Sequence, residues 1–148
     1  MPRQRLPHAL LGSPDDIERQ FYDALQSADV DKLMAVWSDD DEIVCVHPGG
    51  PRLVGAAAIR SSFEALFANG AIPAQPEQVR RIVSHSSAVH NVLELVQALG
   101  PEGLTAAWVI ATNVYVKGEF GWRMVCHHAS PGTPREVQEM VETASVLH

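Results

Sequence analysis

Ile43-Val44-Cys45-Val46-His47-Pro48-Gly49-Gly50-Pro51-Arg52-Leu53-Val54-Gly55 is the stretch around which the rest of the chain is arranged. Its first five residues alternate as a strand does, with Ile43, Cys45 and His47 on one face and Val44 and Val46 on the other. His47 therefore arrives at the strand's end among apolar neighbours. Pro48-Gly49-Gly50-Pro51 rules out regular structure, and Gly55 precedes a helical run from Ala56 to Asn69. An imidazole carried to the rim of an apolar face is a candidate site.

Upstream of this stretch the chain reads as helix. Ser13-Pro14-Asp15-Asp16 is a helix start, with Ser13 as N-cap, Pro14 in the first helical position and acids at the positive end of the dipole. Ile17, Phe21, Ala24, Leu25 and Ala28 follow at three- and four-residue steps and make one apolar face. Asp29 is a second N-cap, and Val30, Leu33, Met34 and Trp37 continue at helical spacing until Ser38-Asp39-Asp40-Asp41 breaks the run. Trp37 reads as a core ring or as the mouth of a cavity. Downstream, Ile59, Phe63, Leu66 and Phe67 give a third amphipathic helix ending in a left-handed cap near Asn69-Gly70.

Beyond Gly70 the period changes from helix to strand. Glu77 to His85, Ala88 to Leu99, Leu104 to Lys117 and Phe120 to Ser130 are rich in Val, Ile, Thr and aromatics, and are divided by Ser86-Ser87, Gly100-Pro101-Glu102-Gly103 and Gly118-Glu119. Connections this short join only antiparallel neighbours, so these four form a meander. Pro134 to Leu147 returns to a weak helical pattern. The expected layout is an arm over 1–12, one α+β domain over 13–131 and a helical tail over 132–148.

Composition narrows the function. A chain of 148 residues with 46% hydrophobic content suits one domain with a true core. The formal charge of −7 comes with no basic stripe, which argues against nucleic acid and anionic membrane as partners. No apolar run reaches the roughly 18 residues of a membrane span. Met1 to Leu11 has too short an apolar centre for a secretory signal, so a cytoplasmic protein is expected. Cys45 and Cys126 lie far apart in apolar strands and read as buried thiols.

Neither a dinucleotide fingerprint, a phosphate loop nor a serine elbow is present. Zinc ligation by His47, His127 and His90, or by an acid of Asp39 to Glu42, is conceivable, but no HExxH or CxxC spacing enforces convergence, and no metal or other cofactor is expected. On the last strand Trp122, Met124, Cys126 and His128 should point one way and Arg123, Val125, His127 and Ala129 the other, so only one of the paired histidines faces inward. Thr112, Asn113 and Tyr115 are polar residues in an apolar run; they read as pocket groups or as an outer face covered by a second subunit. Glu94, if buried, should be paired, with Arg81 or Arg123 as candidates.

The order helix, helix, strand, helix and antiparallel meander resembles the cone-shaped, cystatin-like fold shared by nuclear transport factor 2, scytalone dehydratase, ketosteroid isomerase and the SnoaL-like polyketide cyclases. The resemblance rests on Asp29-Val30-Asp31-Lys32-Leu33-Met34-Ala35-Val36-Trp37, on Gly55-Ala56-Ala57-Ala58-Ile59-Arg60-Ser61-Ser62-Phe63, and on Gly121-Trp122-Arg123-Met124-Val125-Cys126-His127-His128-Ala129-Ser130. The last motif is most similar to the SnoaL-like branch and to association domains of calmodulin-dependent kinases. The resemblance implies a curved antiparallel sheet wrapped around the N-terminal helices and a homodimer. It also implies a small, mostly apolar ligand in the cone. Aligned with ketosteroid isomerase, the carboxylate base falls on His47, the tyrosine on Phe21 and the protonated aspartate on Thr112; a histidine can replace a carboxylate base near neutral pH, but Phe21 has no donor and a threonine hydroxyl is a weaker oxyanion partner, so the familiar steroid route is not expected. Two readings follow. One is an isomerase-, cyclase- or dehydratase-like enzyme using His47 and His127, with Phe21, Trp37, Thr112, Asn113, Val125 and His128 around the ligand. The other is a non-catalytic binding or dimerisation module.

Overall fold

The computed structural model describes residues 12–142. Helix α1 (Pro14–Ser27) begins where the capping signal predicts: Ser13 Oγ accepts from the Asp16 N–H at 3.1 Å, and Asp15 and Asp16 occupy the first turn. It ends on Ala28, which takes the left-handed conformation usually reserved for glycine. Helix α2 (Val30–Met34) is capped by Asp29, whose side chain accepts from Lys32 N–H. It stops short of Trp37, because Val36 and Ser38 trade backbone hydrogen bonds with Met124 and carry Trp37 into a bridge beside the last strand.

Strand β1 (Val44–Val46) turns at His47 into β2 (Arg52–Val54), a strand absent from the sequence expectation. The turn closes with Gly50 N–H on His47 C=O at 2.8 Å. Pro48 and Gly49 occupy its centre, and Gly49 takes φ +75°, the combination a type II turn requires. Three residues between Pro51 and Gly55 are too few for alternation to show. Helix α3 (Ala56–Phe67) follows; its C-cap Ala68 stays right-handed and Gly70 supplies the positive φ two residues later.

The meander comprises β3 (Ala74–Val83), β4 (Ser87–Gly100), β5 (Gly103–Gly118) and β6 (Gly121–Pro131). The six-stranded sheet runs β2-β1-β6-β5-β4-β3, with β1 parallel to β6 and every other pairing antiparallel. It is curved and unclosed, and bulges interrupt β3 between Glu77 and Arg80 and the β5–β6 ladder beside Val125. The core is built from Ile17, Phe21 and Leu25 of α1, Ile59 and Phe63 of α3, and Val92, Tyr115 and Met124 of the sheet. This is the α+β cone expected from the element order.

Two expectations need correction here. The Val125 bulge breaks the alternation on β6: Met124 pairs with Tyr115 and Cys126 with Val114, so Trp122 and Met124 are buried in the core and so is His127. Over the described part of the expected C-terminal helix, residues 132–142 make bends without a helical turn; residues 143–148 and the arm over 1–11 lie outside the described residues.

Candidate active site

Strand register brings the two central histidines together. Parallel pairing of β1 with β6 sets Cys45 beside His127 and Val46 beside His128, so His47, at the end of β1, lies at the β6 edge. A chain of ring contacts also links the two imidazoles. His127 lies 4.8 Å from Phe21, Phe21 lies 6.3 Å from Phe63, and Phe63 lies 4.9 Å from His47, all measured between ring centroids. Phe21 and Phe63 are buried at the facing surfaces of α1 and α3 because both occupy the apolar stripe of their helices.

Hydrogen bonding assigns each imidazole a tautomer. Ser62 Oγ donates to the Ile59 carbonyl at 2.7 Å, which uses its one proton. His47 Nε2, 3.0 Å from the same oxygen, must then donate to it, and the His47 lone pair is on Nδ1. His127 has the opposite arrangement. Its Nδ1 donates to Asn113 Oδ1 at 2.5 Å, leaving the lone pair on Nε2.

The chain of donors continues away from His127. Asn113 Nδ2 donates to Tyr22 Oη at 3.1 Å, and Tyr22 Oη donates to Glu94 Oε2 at 2.6 Å. All four side chains are buried, so each satisfies the next. Burial sets the proton affinities. His127 is held down to about 3 by desolvation, with His47 and His128 adding repulsion; His47 is lowered by desolvation alone. Glu94 is pushed up to about 7 by desolvation, against the opposing pull of the Tyr22 hydrogen bond. Cys45 is pushed up to about 12 by burial, which leaves it an inert core thiol.

The remaining sequence candidates separate by face. Trp37 is buried in the core, with its indole Nε1 unpartnered among the described residues. Val125 is half-buried against the core. Thr112 pairs with His128 across β5 and β6 on the outward side, where Thr112 accepts from Asn91 Nδ2 at 3.0 Å and His128 is exposed. Thr112 and His128 are therefore not brought to the interior; Asn113 is. Neither suggested cation holds Glu94: Arg81 is taken by Asp15 and Arg123 Nη1 donates to the Trp122 carbonyl, while Tyr22 fills the place beside Glu94. Sequence reasoning missed Tyr22, although Glu18 and Tyr22, four residues apart next to the apolar stripe of α1, carry the signal of a widened buried face.

The profile of the SnoaL-like domain family matches residues 15–134, and the chain belongs to that family. Among solved structures it is similar to a candidate calcium/calmodulin-dependent protein kinase type II association domain from Thiobacillus denitrificans, at 34% identity and a TM-score of 0.75, over 88% of this chain and 100% of that one. It is also similar to a candidate dehydratase of the NTF2-like family from Streptomyces avermitilis, at 28% identity and a TM-score of 0.71, over 79% of this chain and 92% of that one. A ketosteroid isomerase-like protein from Erwinia carotovora atroseptica, 18% identical with a TM-score of 0.67 over 84% of this chain and 97% of that one, shares the fold. No curated protein matches the sequence. Among the described residues, no helix is long and apolar enough to cross a membrane.

Proposed function

We propose that this SnoaL-like domain takes a small, mostly apolar molecule into the cone between α1, α3 and the sheet, and that His47 moves a proton on it without a cofactor. The observation that supports the reading is the row His127–Phe21–Phe63–His47, two apolar rings flanked by imidazoles of opposite tautomer. His47 is the base in this scheme: burial lowers its affinity for a proton, so it is neutral near pH 7 with a lone pair free to accept one. His127, held near 3, is too weak a base for that step and serves as a hydrogen-bond acceptor through Nε2. The Asn113–Tyr22–Glu94 chain keeps His127 in that tautomer. Reactions of this kind are isomerisation, cyclisation or dehydration next to a carbonyl.

The test is thermal shift with a panel of small cyclic ketones and enones, followed by solvent deuterium exchange at the carbon next to the carbonyl. Native protein should bind and exchange. His47→Ala should lose exchange by at least a hundredfold, within the range general bases supply, whereas His128→Ala should match native protein. Absence of any shift, or unchanged exchange in His47→Ala, refutes the reading.

A second reading is favoured by surface composition: this chain is an assembly module that forms at least a homodimer. Leu99 and Leu104 at the tip of the β4–β5 hairpin are 83% and 67% exposed, and Val137, Met140 and Val141 of the tail are exposed too. Light scattering decides it, since a monomer of 16.1 kDa leaves that surface without a partner of its own kind.

A further inference from the structure

A second polar cluster lies where the start of α1 meets β3, β4 and β5, and the proton-transfer scheme does not use it. Its centre is His90 on β4, only 1% exposed in its side chain. Nδ1 of His90 lies 2.5 Å from Glu18 Oε2, itself a buried carboxylate that also accepts from Tyr115 Oη at 3.4 Å. Nε2 of His90, on the other side of the ring, is buried with no hydrogen-bond partner and is directed to Asp15 Oδ1, 4.0 Å away. One donor atom from each of Asp15, Glu18 and His90 lies within 4.8 Å of the others.

An imidazole nitrogen sealed from water and left without a partner loses a hydrogen bond it would have in the unfolded chain, and such a loss calls for an occupant. We propose that Asp15, Glu18 and His90 form a binding site for one divalent transition-metal ion. His90 Nε2 and Asp15 are its direct ligands, water completes the shell, and Glu18 fixes the ring by accepting the Nδ1 proton. A carboxylate behind a histidine is the usual support for a metal-bound imidazole, because it sets the tautomer and strengthens the donor. Metal bonds of about 2.1 Å in a tetrahedral shell place donors roughly 3.4 Å apart, so closing the 4.0 Å gap needs a movement of about 0.6 Å. Asp15 can supply it, being 53% exposed on the first turn of α1. An imidazole and carboxylate set with water suits Zn2+, Co2+ or Ni2+ better than Ca2+, which takes oxygen donors only. Sequence spacing hides the site because Glu18 and His90 are 72 residues apart.

Arg81 tests the geometry from the opposite direction. Its Nε holds the same Asp15 oxygen at 2.8 Å, so it competes with the ion for that ligand. The experiment is titration of untagged, chelator-treated protein with Co2+ and Zn2+, followed by visible absorbance and calorimetry. One equivalent should bind, with at least tenfold weaker affinity in Asp15→Asn and in His90→Gln, and several-fold tighter affinity in Arg81→Gln. Asp15→Asn alters only an exposed side chain and decides the matter even if His90→Gln does not fold. No binding overturns the proposal. So does binding that Asp15→Asn leaves unchanged, which would place the ion on surface histidines such as His85 or His128.

Discussion

Glu94→Gln gives a direct reading of the buried hydrogen-bond chain. The carboxyl is raised from 4.5 to about 7 by desolvation, so the folded state holds a proton there that the unfolded state has already released. Below pH 4.5 the group is neutral in both states and adds nothing to the pH dependence. As pH rises from 4.5 through 7, the unfolded state gains by ionising while the folded state cannot follow, so native stability falls. Integrated over that window the loss is about 3 kcal/mol. Glutamine keeps an oxygen for the Tyr22 hydroxyl and has no proton to lose. Stability of Glu94→Gln minus that of native protein should therefore grow by about 3 kcal/mol between pH 4 and pH 8. Taking the difference cancels the contributions of other titrating groups. His127, lowered from 6.5 to about 3, has the opposite sign: its neutral state is stabilising above 6.5 and that stability is lost as pH falls toward 3. Native protein should thus be flatter between pH 4.5 and 6.5 than Glu94→Gln. The assay is urea unfolding at a series of pH values and one protein concentration, which holds any dimer equilibrium fixed. A difference that stays level across the series would show that Glu94 is ionised in the fold, and the account of its burial would fail.

The elements legible in the sequence are those whose signals are local. Ser13-Pro14-Asp15-Asp16 and Asp29 mark helix starts by their own chemistry, and each cap forms as read. The meander was legible because its dividing turns are short and built from serine, glycine and proline, and β3 to β6 fall within a few residues of the expected runs. β2 was not legible, since its three residues become a strand only by pairing with β1. Trp37 left the helix for a similar reason: Met124, distant in sequence, offers its neighbours backbone partners that compete with another helical turn.

The site divides along the same line. His47 at a strand end follows from period and position; period also puts Asn113 and Tyr115 on one face, but that this face is the inward one comes only from the packing of the sheet on α1. What surrounds them depends on register between elements. One additional residue on β6, Val125, reverses the alternation, so that Met124 and His127 face the same side, a fact contained in the pairing with β5 and invisible in either strand alone. Glu94 shows the limit most clearly. Charge alone favours an arginine as its partner, but the buried carboxyl on β4 lies against α1, and the side chain that reaches it is the tyrosine hydroxyl at position 22.

Tyr22→Phe removes the hydroxyl shared by Asn113 and Glu94, and should cost about 2–4 kcal/mol in urea unfolding, more at pH 8 than at pH 5 because the ionised carboxyl loses the stronger bond. An equal cost at both pH values would contradict the link to Glu94. Ala28→Gly relieves a left-handed residue at φ +52° and should raise stability by about 0.5–1 kcal/mol; a loss would mean that the methyl group is worth more than the strain. The two histidine tautomers can be seen directly in nitrogen-15 correlation spectra at pH 7.5. His47 should carry its proton on Nε2 and His127 on Nδ1, and His127 should stay neutral as the sample is acidified to pH 4.5. Ser62→Ala removes the acceptor that fixes His47, so its signals should move toward a mixture of tautomers while those of His127 stay in place. If His47 proves to carry its proton on Nδ1 in the native protein, the donor direction runs differently from that inferred, and His47 loses the Nδ1 lone pair that its role as base requires.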